Sequence, residues 1–90
     1  MKHYTYIIFS SKYDKFYRGY SSQPFLRLKQ HNNGESKYTR NFTPWEIVCI
    51  QEFSSKIEAM KREKALKKYS KNQIKLLINS SKNLLNTNRY

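Results

Sequence analysis

The stretch "KFYRGYSSQPFLRLKQHN", residues 15–32, runs from a strand into a helix. Phe16 to Tyr20 is short and aromatic, as a strand favours. Gly19 interrupts it late, which asks for a bulge or the close approach of another group. Ser22 or Gln23 then caps a helix, and Pro24 fits its first turn, where a missing N–H is not needed. Gly34 is the expected stop. Phe25 and Leu28 form the apolar stripe of this helix, and Arg27 and His31, four apart, share a face beside it. The stretch holds no acid and no cysteine. It is either a gripping surface or half of an active site whose carboxylate lies elsewhere.

Upstream, "HYTYIIFS" (3–10) reads as a strand, with Tyr4, Tyr6 and Ile8 on one face and Thr5, Ile7 and Phe9 on the other. "SKYDK" (11–15) is the hairpin loop between the two strands. Downstream, "ESKYTRNFTPW" (35–45) is a polar, basic loop, and "EIVCIQEF" (46–53) is a third strand. Ser55 with Glu58 marks a capping pattern for a helix over 54–70, and Ser70 with Gln73 repeats it for a last helix carrying Ile74, Leu77 and Ile78. The order is β-β-α-β-α-α. It predicts a small α+β domain, a three-stranded antiparallel sheet flanked by three helices, over residues 1–80, with a polar, frayed tail at 81–90.

Ninety residues carry 18 Lys+Arg against 6 Asp+Glu, a formal charge of +12. That imbalance favours polyanion partners, with nucleic acid ahead of an anionic membrane. No apolar run has membrane-spanning length and no leader pattern opens the chain, so the sequence reads as cytoplasmic. A single cysteine, Cys49, excludes an internal disulfide and a Cys-based zinc site. The 8 Tyr and 5 Phe exceed the needs of one core and leave rings for stacking or chemistry.

Glu63 is the informative acid. It falls inside the stripe of Ala59, Met60 and Leu66, where a carboxylate is costly unless paired or metal-bound. The bland reading is an ion pair with Arg27 or a lysine. Tyr6 and Tyr17 lie on neighbouring strands, so both hydroxyls can point into one cleft. A free tyrosine is only ~0.1% ionised at pH 7, so cations must lower its pKa before it serves as a base. His31 reads as a structural residue, an orienter of a tyrosine hydroxyl, or an acid or base. Residues 56–75 hold eight Lys/Arg against two Glu, either a solvated face or a phosphate-binding stripe.

Together "YTYII" (4–8), "FYRGYSSQPFLRLKQHN" (16–32), "KYTR" (37–40) and "EAMKREKALKK" (58–68) resemble the GIY-YIG nuclease domain, and most of all its small single-domain bacterial YhbQ-like group. The resemblance covers roughly residues 3–78. It implies an endonuclease that cleaves DNA phosphodiester bonds with one divalent metal, Mg²⁺ or Mn²⁺, in DNA repair or recombination. It implies Tyr6 and Tyr17 as the motif tyrosines, Gly19 as the second motif's glycine and Arg27 as the contact to the scissile phosphate. His31 stands where the family has His or Tyr, and Glu63 is implied as the metal ligand. Tyr20, Tyr38, Arg40, Lys67 and Lys71 are the candidate nucleic-acid contacts. The chain departs from the pattern with Tyr4 for the first motif's glycine, Thr5 for its isoleucine, and Tyr20 where some relatives carry lysine. For the family asparagine, Asn79 is the nearest candidate. The alternatives are a non-catalytic nucleic-acid-binding module, a subunit that depends on a protein partner for targeting, and an RNA- or ribosome-associated basic protein.

Overall fold

The computed structural model describes residues 1–86. Strands β1 (His3–Ser10) and β2 (Lys15–Ser21) form a hairpin, followed by helix α1 (Pro24–Asn32) and a 3-10 turn at Thr39–Phe42. Strand β3 (Glu46–Phe53), helices α2 (Lys56–Leu66) and α3 (Lys71–Ile78), and a 3-10 turn at Leu84–Asn86 complete the order. The sheet runs β2-β1-β3, antiparallel throughout. The α+β expectation holds.

Strand β1 lies in the middle, and its alternation sorts the core into two layers. Ile7 packs with Cys49, Leu66, Ile74 and Leu77 on the face covered by α2 and α3. Tyr6 and Ile8 pack with Trp45, Ile50 and Leu28 on the face covered by α1. Each aliphatic side chain so buried contributes about 1.5–3 kcal/mol. Thr5, on the first face, donates its hydroxyl to the Ala59 carbonyl at 2.8 Å and pins α2 to the sheet.

The caps follow the sequence unevenly. Ser70 and Gln73 form a complete capping box. At α2 Ser55 accepts from the Glu58 N–H, but the Glu58 carboxylate turns to the hydroxyls of Ser54 and Ser55. Gln23 caps α1 without a side-chain bond, and Ser21 accepts from the Gln23 N–H instead. Gly34 stops α1 as expected, with φ of 79°.

Three expectations need correction. The buried side of α1 is Pro24, Leu28 and His31, while Phe25 is 57% exposed. One residue of phase, about 100°, separates Phe25 from Pro24, and Phe25 misled because apolar character alone fixed the stripe. Gly19 is no bulge, since β1 and β2 pair without a break and the irregularity sits between β1 and β3 at Ile7/Ile8. Nor does the chain fray at residue 81. Asn83 is buried, accepts from the Ile50 and Leu85 N–H groups, and donates to the Val48 and Ile78 carbonyls at 2.8 and 2.9 Å. It ties the chain after α3 to β3, whereas Asn79 is the exposed C-cap of α3. The rest of the tail, residues 87–90, lies outside the described residues.

Candidate active site

The site is built on the cross-strand pair Tyr6 and Gly19. Tyr6 is 2% exposed, and its ring lies across the Gly19 backbone. A Cβ on residue 19 would fall 2.5 Å from the Tyr6 hydroxyl oxygen. The close approach that the glycine announced is therefore the phenol itself. Gly19→Ala is expected to push that ring aside and to lower stability by about 1–3 kcal/mol, as overpacking does. Thermal melting would show the loss, and an unchanged melting temperature would mean that the ring has room to spare.

Held there, the Tyr6 hydroxyl is hydrogen-bonded to Nε2 of His31 at 2.9 Å. His31 comes from the last turn of α1 and is fully buried. Its Nδ1 is hydrogen-bonded to the Thr39 hydroxyl at 2.7 Å. Burial first, and the Arg27 charge second, push the His31 pKa down to about 4, so the ring is neutral at pH 7. The same burial, with Tyr17 beside it, raises the Tyr6 pKa above the ordinary tyrosine value, and Arg27 offsets this only in part. The lowering that a tyrosine base requires is therefore not supplied by Arg27, because desolvation outweighs it.

Thr39 and its neighbours are the residues sequence reading missed. The Trp45 indole N–H donates to the Thr39 carbonyl at 2.8 Å. Asn32, next to His31, holds the Trp45 backbone at both its N–H and its carbonyl. The turn after α1 is thereby locked over the imidazole. The one signal available was the Thr39 of "KYTR".

Arg27 and Glu63 arrive from opposite faces of the sheet, around its β2 edge. A cleft of about 300 Å³ there is lined by Tyr6, Tyr17, Gly19, Tyr20, Arg27 and Glu63. Arg27 donates to the Gln30 side chain at 2.9 Å. The Glu63 carboxylate, 13% exposed, pairs with Lys67 at 2.9 Å, one turn further along α2. The lysine partner foreseen by the bland reading is therefore present, and it is Lys67 rather than Arg27. The Tyr17 ring meets His31 edge-on, with centroids 5.1 Å apart. His31 itself lies behind Tyr6, not in the cleft lining, and reaches any substrate only through the phenol.

Of the other candidate contacts, Tyr20 lines the cleft, and Tyr38 and Arg40 are exposed on the loop beside it. Lys71 is tied to the Asp14 carboxylate at 2.7 Å. Cys49 is buried with its thiol pushed up to about 11, which makes it inert. A larger depression of about 480 Å³, lined by Tyr4, Phe25, Ile50, Glu52 and Leu85 among others, is mainly apolar.

Among the described residues no three His, Cys, Asp or Glu side chains gather into a metal-holding group. Zinc, which takes three or four protein ligands, does not fit. A hard cation that keeps most of its waters needs one or two carboxylates plus substrate phosphate oxygens. Glu63, the carboxylate in the cleft wall, meets that requirement once Lys67 moves off it.

The family model of the GIY-YIG catalytic domain matches residues 2–76. The chain is 41% identical over 73 residues to a UPF0213 protein of Staphylococcus haemolyticus, covering 80% of this chain and 88% of that protein. It is 40% identical over 86 residues to a UPF0213 protein of Clostridium perfringens, covering 94% and 90%. The solution NMR structure of the UPF0213 protein from Bacillus halodurans matches with a TM-score of 0.53 at 37% identity, covering 87% of this chain and 83% of that one. The chain belongs to the GIY-YIG family, and its similarity within that family runs to the small UPF0213 proteins. No helix among the described residues is long and apolar enough to cross a membrane.

Proposed function

We propose that this protein is an endonuclease that hydrolyses DNA phosphodiester bonds, with one divalent cation, Mg²⁺ or Mn²⁺, held by Glu63. The observation that carries the reading is the convergence of Tyr6, Tyr17, Arg27 and Glu63 on one cleft of a strongly basic domain.

Arg27 binds a non-bridging oxygen of the scissile phosphate, a contact its planar fork suits. Glu63, released from Lys67, would hold the cation, and the cation would supply Lewis-acid stabilisation of the charge that develops at the phosphate. Tyr6 takes the proton of the attacking water. Because burial raises its pKa, no standing phenolate is available. The phenol therefore gives its own proton to Nε2 of His31 as it accepts the water's proton. In the tautomer that carries the proton on Nδ1 against the Thr39 hydroxyl, the Nε2 lone pair faces the phenol, and because burial opposes a charged ring, His31 holds the proton only in passing. His31 is a positioning and proton-holding residue. Tyr17 packs against its ring and narrows the cleft.

Incubation with supercoiled, branched and single-stranded DNA, with and without Mn²⁺, tests the reading. Cleavage of at least one substrate that requires the metal is expected. Binding without cleavage of any of them would reduce the protein to a nucleic-acid-binding module.

A further inference from the structure

From Tyr17 in the cleft wall, the loop after α1 and the β1–β2 hairpin continue a run of rings whose outer members the chemistry above does not use. The Tyr17 ring stacks on Tyr38, with centroids 6.1 Å apart and planes 29° from parallel. Tyr38 meets Phe42 at 5.2 Å, and Phe42 meets Tyr13 at 5.4 Å. The run starts at the cleft wall and leads outward. Its outer members are open, with Tyr38 51% and Tyr13 43% exposed. Lys15 lies over Phe42 at 4.8 Å and Lys12 over Tyr13 at 5.5 Å, while Lys37 and Arg40 flank Tyr38 in sequence and are exposed.

Tyr17 and Phe42 pack with one side against the layer of Tyr6 and Trp45, but the core does not need Tyr38 and Tyr13, which spend close to half their surface on water. A protein-partner patch of this kind would exclude charge from its centre, whereas here cations sit on the rings themselves. Aromatic faces interleaved with lysine and arginine are what binding an unpaired strand requires, since bases stack on rings while cations track phosphates. In a duplex the base faces are already stacked on one another and cannot serve.

We infer that Tyr38, with Phe42 and Tyr13, forms a stacking ladder for the bases of an unpaired DNA strand, and that this strand leads into the Tyr6–Glu63 cleft. The inference rests on the nuclease reading for its direction, since it makes the substrate one with unpaired nucleotides beside the scissile phosphate. Stacking is tolerant of base identity, so the ladder selects strandedness rather than sequence.

Affinity for a labelled oligo(dT) and for a hairpin duplex of equal length, both measured in EDTA, tests it without any cleavage. Tyr38→Ala should weaken oligo(dT) binding about tenfold and duplex binding less than about twofold, with Tyr38→Phe close to the unaltered chain. Tyr13→Ala should show a smaller loss with the same selectivity. An abasic strand with the same phosphates should bind the unaltered chain more weakly than oligo(dT) binds the Tyr38→Ala variant, because it loses every stacking contact at once. Melting curves confirm that each variant is folded. No loss on oligo(dT), or equal losses on both ligands, would overturn the ladder and leave the nuclease reading untouched. Selective loss in a chain that cuts nothing would keep the ladder and sink the nuclease.

Discussion

A Glu63→Gln protein is expected to fold, to bind DNA, and to lose metal-dependent cleavage by at least roughly 10²-fold. The figure follows from the several kcal/mol that a Lewis-acid cation supplies in a transition state, at tenfold for each ~1.4 kcal/mol. The amide is nearly isosteric, so packing beside Tyr6 survives. It is neutral and a poor ligand for a hard cation. The change also severs the pair with Lys67, but helical pairs four apart with a solvent-exposed partner contribute only about 0.3–0.5 kcal/mol. Melting temperature should therefore fall by only about 1–4 °C. A variant that melts early yet nicks at the normal rate per folded molecule would end the metal-ligand assignment and leave Glu63 as a structural partner of Lys67.

Tyr6→Phe should lower the cleavage rate about 10²–10⁴-fold, the range for loss of a general base. Tyr17→Phe should lose less, because its ring, and not a hydroxyl bond, meets His31. Removing the Tyr6 hydroxyl also leaves Nε2 of His31 buried without its partner, at about 1–3 kcal/mol of stability. Rates must accordingly be expressed per folded molecule. Full activity in Tyr6→Phe with a dead Tyr17→Phe would exchange the two roles. Acid should act on the same pair. Folded His31 resists protonation down to about 4, while in the unfolded chain it protonates near 6.5. The unfolded state thus takes up more protons in that window, and stability falls as pH drops through it. Titration of unfolding between pH 7 and 4 would show the decline.

Periodicity made the strands legible, although it misplaced the buried side of α1. Alternation along β1 set Tyr6 and Ile8 against Ile7, and the structure keeps them in separate layers. Glu63 stood out because a carboxylate in an apolar stripe demands an explanation. Gly19 announced a close approach without naming what approaches. Contacts between distant segments were illegible. The Thr39 hydroxyl reaches His31 only because Trp45 and Asn32 fold the loop back. Lys71 looked like a phosphate contact until the hairpin brought Asp14 to it across 57 positions of chain. Asn83 lay in a segment whose composition suggests fraying, yet its amide meets four backbone groups.

The contact between Lys67 and Glu63 separates two events that many metal sites fuse. The carboxylate has a counter-charge at the C-cap of its own helix, and on the proposed metal reading the chain is expected to fold without the cation. Chelators should leave its melting curve where it stands, and a cation arriving later exchanges with an ammonium instead of completing a core. Loading is then a competition decided at the protein surface, where 58% of the lysine side chain is already in water.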